Sequence, residues 1–249
     1  MLKIFTYACG PHGAKFVDIQ HRSLKRNILD DFDYTVFNTS DNDEDRERIR
    51  NACAAVPLRH VVVDKTLASG THPCGLIHSW REYALKEPAD HVLMLDFDMA
   101  LMEPFSVANF VADHDVVGIG QSRGWIPGGD KIFYLWPGII MWNMKTAPAL
   151  HEVNLDGGTV DGIPVDVGGQ LCHWFRAHPE IKYKSGLTTG WLTVDDPLLP
   201  DKIRAEYDPS FRFDVKNGCF LHFGAGSNWN HMPTAYHAKK MELYERVFS

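Results

Sequence analysis

The chain has 249 residues, nearly half of them apolar, enough to bury a substantial core in one large α/β domain or two small ones. Its 32 acidic side chains outnumber 25 basic ones, for a formal charge of −7, and no basic face rich enough to hold a nucleic-acid backbone stands out. Nucleic acid is a poor first reading, whereas an anionic substrate stays open because a bound cation supplies positive charge that the sequence lacks.

The first hundred residues alternate strand-like and helix-like segments. Leu2–Ala8 reads as a strand and residues 14–29 as an amphipathic helix carrying Phe16, Ile19 and Leu24. A second apolar run at 34–37 is followed by the charged segment 41–55, a strand at 59–64 with three consecutive valines, a helical pattern over 76–86 and a strand over 91–96. This βαβ alternation predicts a mostly parallel sheet with helices on both faces. Val92-Leu93-Met94-Leu95 does not alternate with polar residues, as expected of a central strand covered on both sides. The second half predicts strands at 115–119 and 138–142, a helix over 167–177, a late strand at 218–223 and a final helix over Thr234–Val247. No repeat or low-complexity linker appears, and the Gly/Pro-rich patches at 124–129 and 156–164 read as loops. A single domain over 1–249 is expected, with the pivotal motif closing its first half (1–105) and an irregular second half (106–249).

Cys9, Cys53, Cys74, Cys172 and Cys219 are odd in number and widely spaced, with neither a CxxC pair nor the density of a disulfide scaffold, which predicts a reduced, cytoplasmic setting. The amino-terminal MLKIFTYACGPHG lacks a small-residue cleavage pattern, and no uncharged apolar stretch of about 18 residues occurs, so neither an export signal nor a membrane span is expected.

In HVLMLDFDMALMEPF, Asp96 and Asp98 flank Phe97 where the proposed central strand ends. Side chains alternate along extended backbone, so the two carboxylates share a side while Phe97 faces the other and packs. The pair makes a metal platform at the carboxyl end of a parallel strand, where ligands bind in open α/β sheets. A bare Asp-x-Asp is more often a solvated turn, and the buried-strand context is what sets this one apart. Phosphatases of the haloacid dehalogenase type also place Asp-x-Asp after an apolar strand, with the first Asp as nucleophile. Their motif lies near the chain start and continues with Thr or Val, whereas here residues 1–95 precede it and the equivalent position is Ala100.

Four further segments accompany this motif in order. Ile77-His78-Ser79-Trp80 precedes the central strand; WPGIIMWN, DVGGQL (166–171) and FLHFGAGSNW (220–229) follow it. Together the five segments resemble the nucleotide-sugar glycosyltransferases of the GT-A fold, and within them the retaining family, glycosyltransferase family 8, that includes glycogenin and bacterial galactosyltransferases. The resemblance implies a single α/β GT-A domain, with a nucleotide-binding half (1–105) and an acceptor-side half (106–249), that moves a hexose from a nucleotide diphosphate, with uridine as its base, to a hydroxyl acceptor. It implies Asp98 and His222 as direct metal ligands, with Asp96 binding metal, donor sugar or ribose. Among thirteen histidines, His222 is singled out by its place after an apolar strand and before Gly224 and Gly226, where backbone can approach phosphate. Carboxylate oxygens with an imidazole nitrogen suit Mn2+ better than Mg2+. The chemistry needs such an ion because the leaving diphosphate accumulates negative charge. A bare carboxylate 4 Å from it would repel it by roughly 4 kcal/mol at an effective dielectric near 20.

The strand-end rule places Tyr7, Ala8, Cys9 and Gly10 near the nucleotide, although Gly10-Pro11 also reads as a plain turn and Cys9 as a small buried group. The resemblance extends donor contacts to His78, Arg81, Asp96, Phe97, Gly224 and Asn228. Asn228 stands where the family has lysine, leaving Arg81, Arg123, Lys216 or Lys239 to supply the missing positive charge. The acidic segment has Gly169 in place of its second Asp, and Pro137 replaces the asparagine before Gly138. In a retaining reaction Gln170 would lie near the reacting face of the sugar. In an inverting one Asp166 would be the base, with Asp195-Asp196 second. Asp166 reads equally as a helix N-cap, and Asp195-Asp196 before Pro197 as a turn. Of seven tryptophans, Trp125, Trp136, Trp142, Trp191 and Trp229 fall in the second half, and Trp191 and Trp229 are taken as acceptor-stacking surfaces. The 124–129 loop is expected to close over the donor. A noncatalytic nucleotide-sugar binding module is the remaining reading.

Overall fold

The structure, a computed structural model, describes residues 1–63, 71–124, 132–187, 189–224 and 234–249. The amino-terminal half alternates as expected: β1 (Leu2–Ala8), α1 (Gly13–Asn27), β2 (Phe32–Asn38), α2 (Asp43–Ala55), β3 (Arg59–Val62), α3 (Thr71–Ser79) and β4 (His91–Leu95). There follow β5 (Met99–Leu101), α4 (Val107–Val111), β6 (Val116–Arg123), β7 (Ile132–Asn143), the hairpin β8 (Gly158–Val160) and β9 (Ile163–Val165), and α5 (Leu171–Ala177). The chain ends with β10 (Tyr183–Lys184), β11 (Thr189–Trp191), α6 (Asp201–Arg204), β12 (Asp214–Lys216), β13 (Phe220–His222) and α7 (Thr234–Val247).

The main sheet has the order β10-β6-β7-β4-β1-β2-β3. Strands β1 to β4 run parallel, and β7 alone is antiparallel to both its neighbours, β4 and β6. This is an α/β fold with a mostly parallel sheet flanked by helices. Val92, Leu93, Met94 and Leu95 are fully buried and β4 lies between β1 and β7, which is the central position that its unbroken apolar run requires.

Several elements differ from the sequence pattern. The strand at 138–142 extends to Ile132–Asn143, because β6 pairs with it along its whole length across an irregularity at Gly118/Ile119. The helix over 76–86 is α3 followed by a π-helical turn, Trp80–Ala84, closed by Leu85 N–H donating to the Trp80 carbonyl. That turn carries Trp80 into the core against Trp142, ring centres 4.6 Å apart. The helix expected from Val167 starts only at Leu171, since Gly168 adopts φ +85° and residues 167–170 form turns.

Beyond Leu95 the chain turns through Asp96-Phe97-Asp98 and resumes as β5, which belongs to a second sheet of order β11-β12-β13-β5. The turn is tied down from both sides. Gln20 of α1, fully buried, donates from Nε2 to the Asp96 and Met99 carbonyls, both at 2.7 Å, and its Oε1 accepts from the Tyr34 hydroxyl at 2.6 Å. The Tyr244 hydroxyl of α7 donates to the Asp98 carbonyl at 3.1 Å, and Phe223 N–H donates to the same oxygen at 2.9 Å. No helix among the described residues is long and apolar enough to cross a membrane, and among them no two cysteines form a disulfide.

Replacing Gln20 by Leu removes three buried hydrogen bonds, to the Asp96 and Met99 carbonyls and from the Tyr34 hydroxyl, so urea unfolding should show a loss of about 1–3 kcal/mol. A loss below about 0.5 kcal/mol, the size of an ordinary surface substitution, would mean that this side chain does not secure the turn.

Candidate metal centre

Asp96, Asp98 and His222 each offer a ligand atom, and the three atoms lie within 4.8 Å of one another. They meet because β13 pairs antiparallel with β5, setting His222 opposite Met99 and so beside the Asp96-Phe97-Asp98 turn. His222 Nε2 lies 3.3 Å from Asp98 Oδ1. Phe97 faces the other way, edge-on to Phe16 at 5.3 Å, as alternation along the chain requires.

A third carboxylate stands behind the imidazole. Asp214, the cross-strand partner of His222 on β12, accepts from Nδ1 at 3.2 Å. The same oxygen, Oδ2, lies 3.2 Å from Lys216 Nζ. On the neighbouring strand, Asp96 N–H donates to the Gly138 carbonyl at 2.8 Å. A Cβ at Gly138 would come within 2.3 Å of the Trp136 ring and 2.6 Å of Asp96 Oδ2, so only glycine lets ring and carboxylate occupy these places. The Trp136 ring is 5.7 Å from that of His222 and 5.7 Å from Lys216 Nζ, forming one wall of the cluster.

The electrostatics fit a cation. Burial pushes the His222 pKa down, but Asp98, the Asp214 hydrogen bond and Asp96 outweigh it and lift the value to about 9. Asp214 is held below the usual carboxylate range: burial raises it, and His222 and Lys216 lower it further than that. Lys240 on α7, buried over the rings of Phe213 and Phe223, is lowered to about 8 by burial despite Asp98 and Asp214. The neighbouring carboxylates favour a positive charge at His222, and two carboxylate oxygens with one nitrogen are a donor set that a divalent transition ion accepts.

The expected nucleotide side is built from the end of β1. Tyr7 is buried, shares a 2.9 Å hydrogen bond with the Ser79 hydroxyl and stacks on Phe37, and burial raises its pKa. The Ala8 carbonyl accepts from Thr39 N–H at 2.9 Å. Burial raises the Cys9 thiol to about 11, with Asp98, Asp41 and Asp96 adding to the rise, so Cys9 is no thiolate nucleophile and lies within electrostatic reach of the acidic pair. Gly10 adopts φ +72° and its carbonyl closes a turn with Gly13 N–H, and Gly224 adopts φ +70°. His78 packs against Phe37 and Tyr83, ring centres 6.2 and 5.7 Å away, and exposed Arg81 lies beside Val153, Asn154 and Leu155. No described contact brings either to the acidic cluster. Asn228 lies outside the described residues.

Asp166 is exposed. Its Oδ1 accepts from Val167 N–H at 2.8 Å, while Gln170 occupies the N-cap of α5. Gln170 Nε2 donates to the Gly157 and Thr159 carbonyls at 3.1 and 3.3 Å. The segment meets the site wall at Gly168, whose Cβ would come within 2.7 Å of Pro137. Asp196 Oδ1 accepts from Leu198 N–H, making a turn. Trp191 is 61 % exposed on β11, and Trp142 is buried between Trp80 and Trp174. Trp125, Trp229 and residues 125–129 of the expected closing loop lie outside the described residues.

Sequence reasoning missed Gln20 and Asp214, considered Lys216 only as one of four cations, and passed over Trp136 in favour of other tryptophans. The signal for the middle pair was present: Asp214 and Lys216, two apart in a strand, share a face. Their cross-strand partner was not readable. A cavity of about 770 Å3 lies away from this cluster, at the amino ends of β1 and β2, lined by Lys3, Lys25, Phe32, Tyr34 and Arg59. Its charges are largely matched there: Glu87 binds both Arg59 and Lys3, which hold its carboxyl at about 2.

No protein-family model matches the sequence. No curated protein matches it either. Among solved structures, the chain is similar to glycosyltransferases. One is a mannosyltransferase from Pyrobaculum calidifontis in complex with GDP-Man and Mn2+, at 12% identity, covering 74% of this chain and 54% of that one, with TM-score 0.49. Another is the bifunctional glycosyltransferase WbbM in its apo form, at 15% identity, covering 58% and 31%, with TM-score 0.39. A third is mouse xyloside xylosyltransferase 1, also apo, at 12% identity, covering 73% and 83%, with TM-score 0.44. The chain spans about half of the mannosyltransferase and less than a third of WbbM.

Two outcomes are expected of this geometry. A ligating imidazole must be unprotonated, and His222 holds its proton up to about pH 9, so Mn2+ affinity measured by calorimetry should rise about tenfold per pH unit between pH 6 and 8. A flat profile would mean that His222 releases no proton. Gly138→Ala should leave circular dichroism unchanged yet weaken Mn2+ binding at least roughly tenfold, the size of effect found when support for a metal ligand is lost.

Proposed function

We propose that this chain is a metal-dependent glycosyltransferase of the GT-A fold that moves a hexose from a nucleoside diphosphate donor, uridine diphosphate by family resemblance, to a hydroxyl acceptor. The observation that carries this reading is the Asp96, Asp98 and His222 cluster at the carboxyl end of the central strand, its ligand atoms within 4.8 Å of one another. Asp98 and His222, with Asp96, would hold Mn2+ or Mg2+, and such an ion, when bound, offsets the charge that the departing diphosphate accumulates.

The residues around the cluster support the reading in distinct ways. Asp214 accepts from His222 Nδ1, and Gly138 leaves room for Asp96 and Trp136 together. Burial pushes the Cys9 thiol up to about 11, which disfavours the thiolate beside the donor. Gln170, its amide nitrogen engaged by the Gly157 and Thr159 carbonyls, would present Oε1 to the donor sugar in a retaining transfer that needs no protein nucleophile. Asp166 is the residue that would act as base if configuration were inverted, since its carboxylate is exposed and only Oδ1 is taken by the backbone.

The test is to incubate the protein with uridine, guanosine and thymidine diphosphate sugars, with and without Mn2+, and to measure the nucleotide released. Mn2+-dependent release of a nucleoside diphosphate is expected, falling on the order of 100-fold or more in Asp98→Asn, because that change removes one of the two carboxylates that would hold the ion. Release of inorganic phosphate that depends on Asp96 would point to a phosphatase, and donor binding without turnover to a noncatalytic module.

A further inference from the structure

The arrangement behind the metal cluster carries a second assignment, which rests on the reading of that cluster as a cation site. We propose that Asp214 and Lys216 are positioning residues for His222: Asp214 keeps the Nδ1 proton in place so that Nε2 is the atom offered toward Asp98, and Lys216 pins Asp214.

The geometry is specific. Asp214 and His222 are direct cross-strand partners, and Lys216 stands two residues along β12 on the same face. One oxygen, Asp214 Oδ2, lies 3.2 Å from both His222 Nδ1 and Lys216 Nζ. The imidazole is thus bracketed, with Asp214 at Nδ1 and Asp98 3.3 Å from Nε2. The side chains of Asp214, Lys216 and His222 are 17, 8 and 12 % exposed, so water competes little for these contacts. The Trp136 ring lies 5.7 Å from Lys216 Nζ, on the same side of the cluster.

A neutral imidazole keeps one N–H, and which nitrogen keeps it decides which can ligate. Asp98 stands on the Nε2 side and Asp214 on the Nδ1 side, so Nε2 is the nitrogen offered toward the candidate cation site and Nδ1–H the one held by Asp214. A carboxylate accepting from the distal nitrogen fixes ring orientation and raises ligand basicity. Lys216 keeps that carboxylate from turning away or being left as an uncompensated buried charge.

The test compares the wild type with Asp214→Ala, Asp214→Asn and Lys216→Met by two measurements. The first is Mn2+ binding by calorimetry, without donor. The second is 15N-edited NMR of the His222 imidazole in metal-free protein, where a hydrogen-bonded Nδ1–H exchanges slowly. Asp214→Ala should weaken Mn2+ binding roughly 10- to 100-fold and abolish the slow Nδ1–H signal. Asp214→Asn, which keeps an acceptor oxygen, should retain the signal and recover much of the affinity, and Lys216→Met should weaken both. The proposal is overturned if His222 Nδ1–H exchanges freely in the wild type, or if Asp214→Ala leaves both signal and affinity unchanged. Should the wild type bind no Mn2+ while the signal behaves as expected, the cation-site reading fails and the positioning role of Asp214 stands.

Discussion

Two like charges held together in a largely buried turn are the constraint around which this molecule is organised. Asp96 and Asp98 sit where the central strand of one sheet passes into the edge strand of another, and neither carboxylate can turn fully to solvent. Placing two carboxylates so close in a medium of low dielectric raises the free energy of the fold unless positive charge is supplied. Without an ion, His222 supplies it as a protonated imidazole. A divalent cation supplies more, and the proposed chemistry uses that same charge to stabilise a departing diphosphate.

The fold holds this arrangement through groups that look unremarkable in isolation. Gln20 reaches from α1 to the carbonyls on either side of Phe97 and Asp98, Tyr244 reaches from α7 to the Asp98 carbonyl, and Thr6 donates to the Leu95 carbonyl at 2.8 Å. Each bond falls on the backbone of the turn and leaves the carboxylate oxygens to the site. Gly138 contributes by absence, since any side chain there would collide with Asp96 and Trp136. Rigid placement from several elements is what a metal platform requires, because a ligand set loosened by even about 1 Å loses much of its function.

The first half of the fold and the three residues of the candidate cluster were legible in the sequence for identifiable reasons. β1 and β4 are buried on both faces and so read as unbroken apolar runs, and the Asp-x-Asp pair is local, needing only the two-residue period of a strand to be placed on one side. His222 was reachable through motif order. The rest depended on register and non-local packing. Nothing in DVK at 214–216 says that it pairs with β13 at His222, and nothing in the α1 pattern distinguishes Gln20 from a solvent-facing polar residue. The late start of α5 reflects the left-handed backbone at Gly168, forced where that turn meets Pro137, a contact between segments far apart in the chain.

Pulsed electron paramagnetic resonance of the Mn2+-loaded protein tests directly whether a divalent ion binds through His222 as well as through carboxylates. The expected result is modulation from one directly coordinated nitrogen that disappears in His222→Gln. Bound Mn2+ with no nitrogen modulation, or with modulation that persists in the variant, would contradict it.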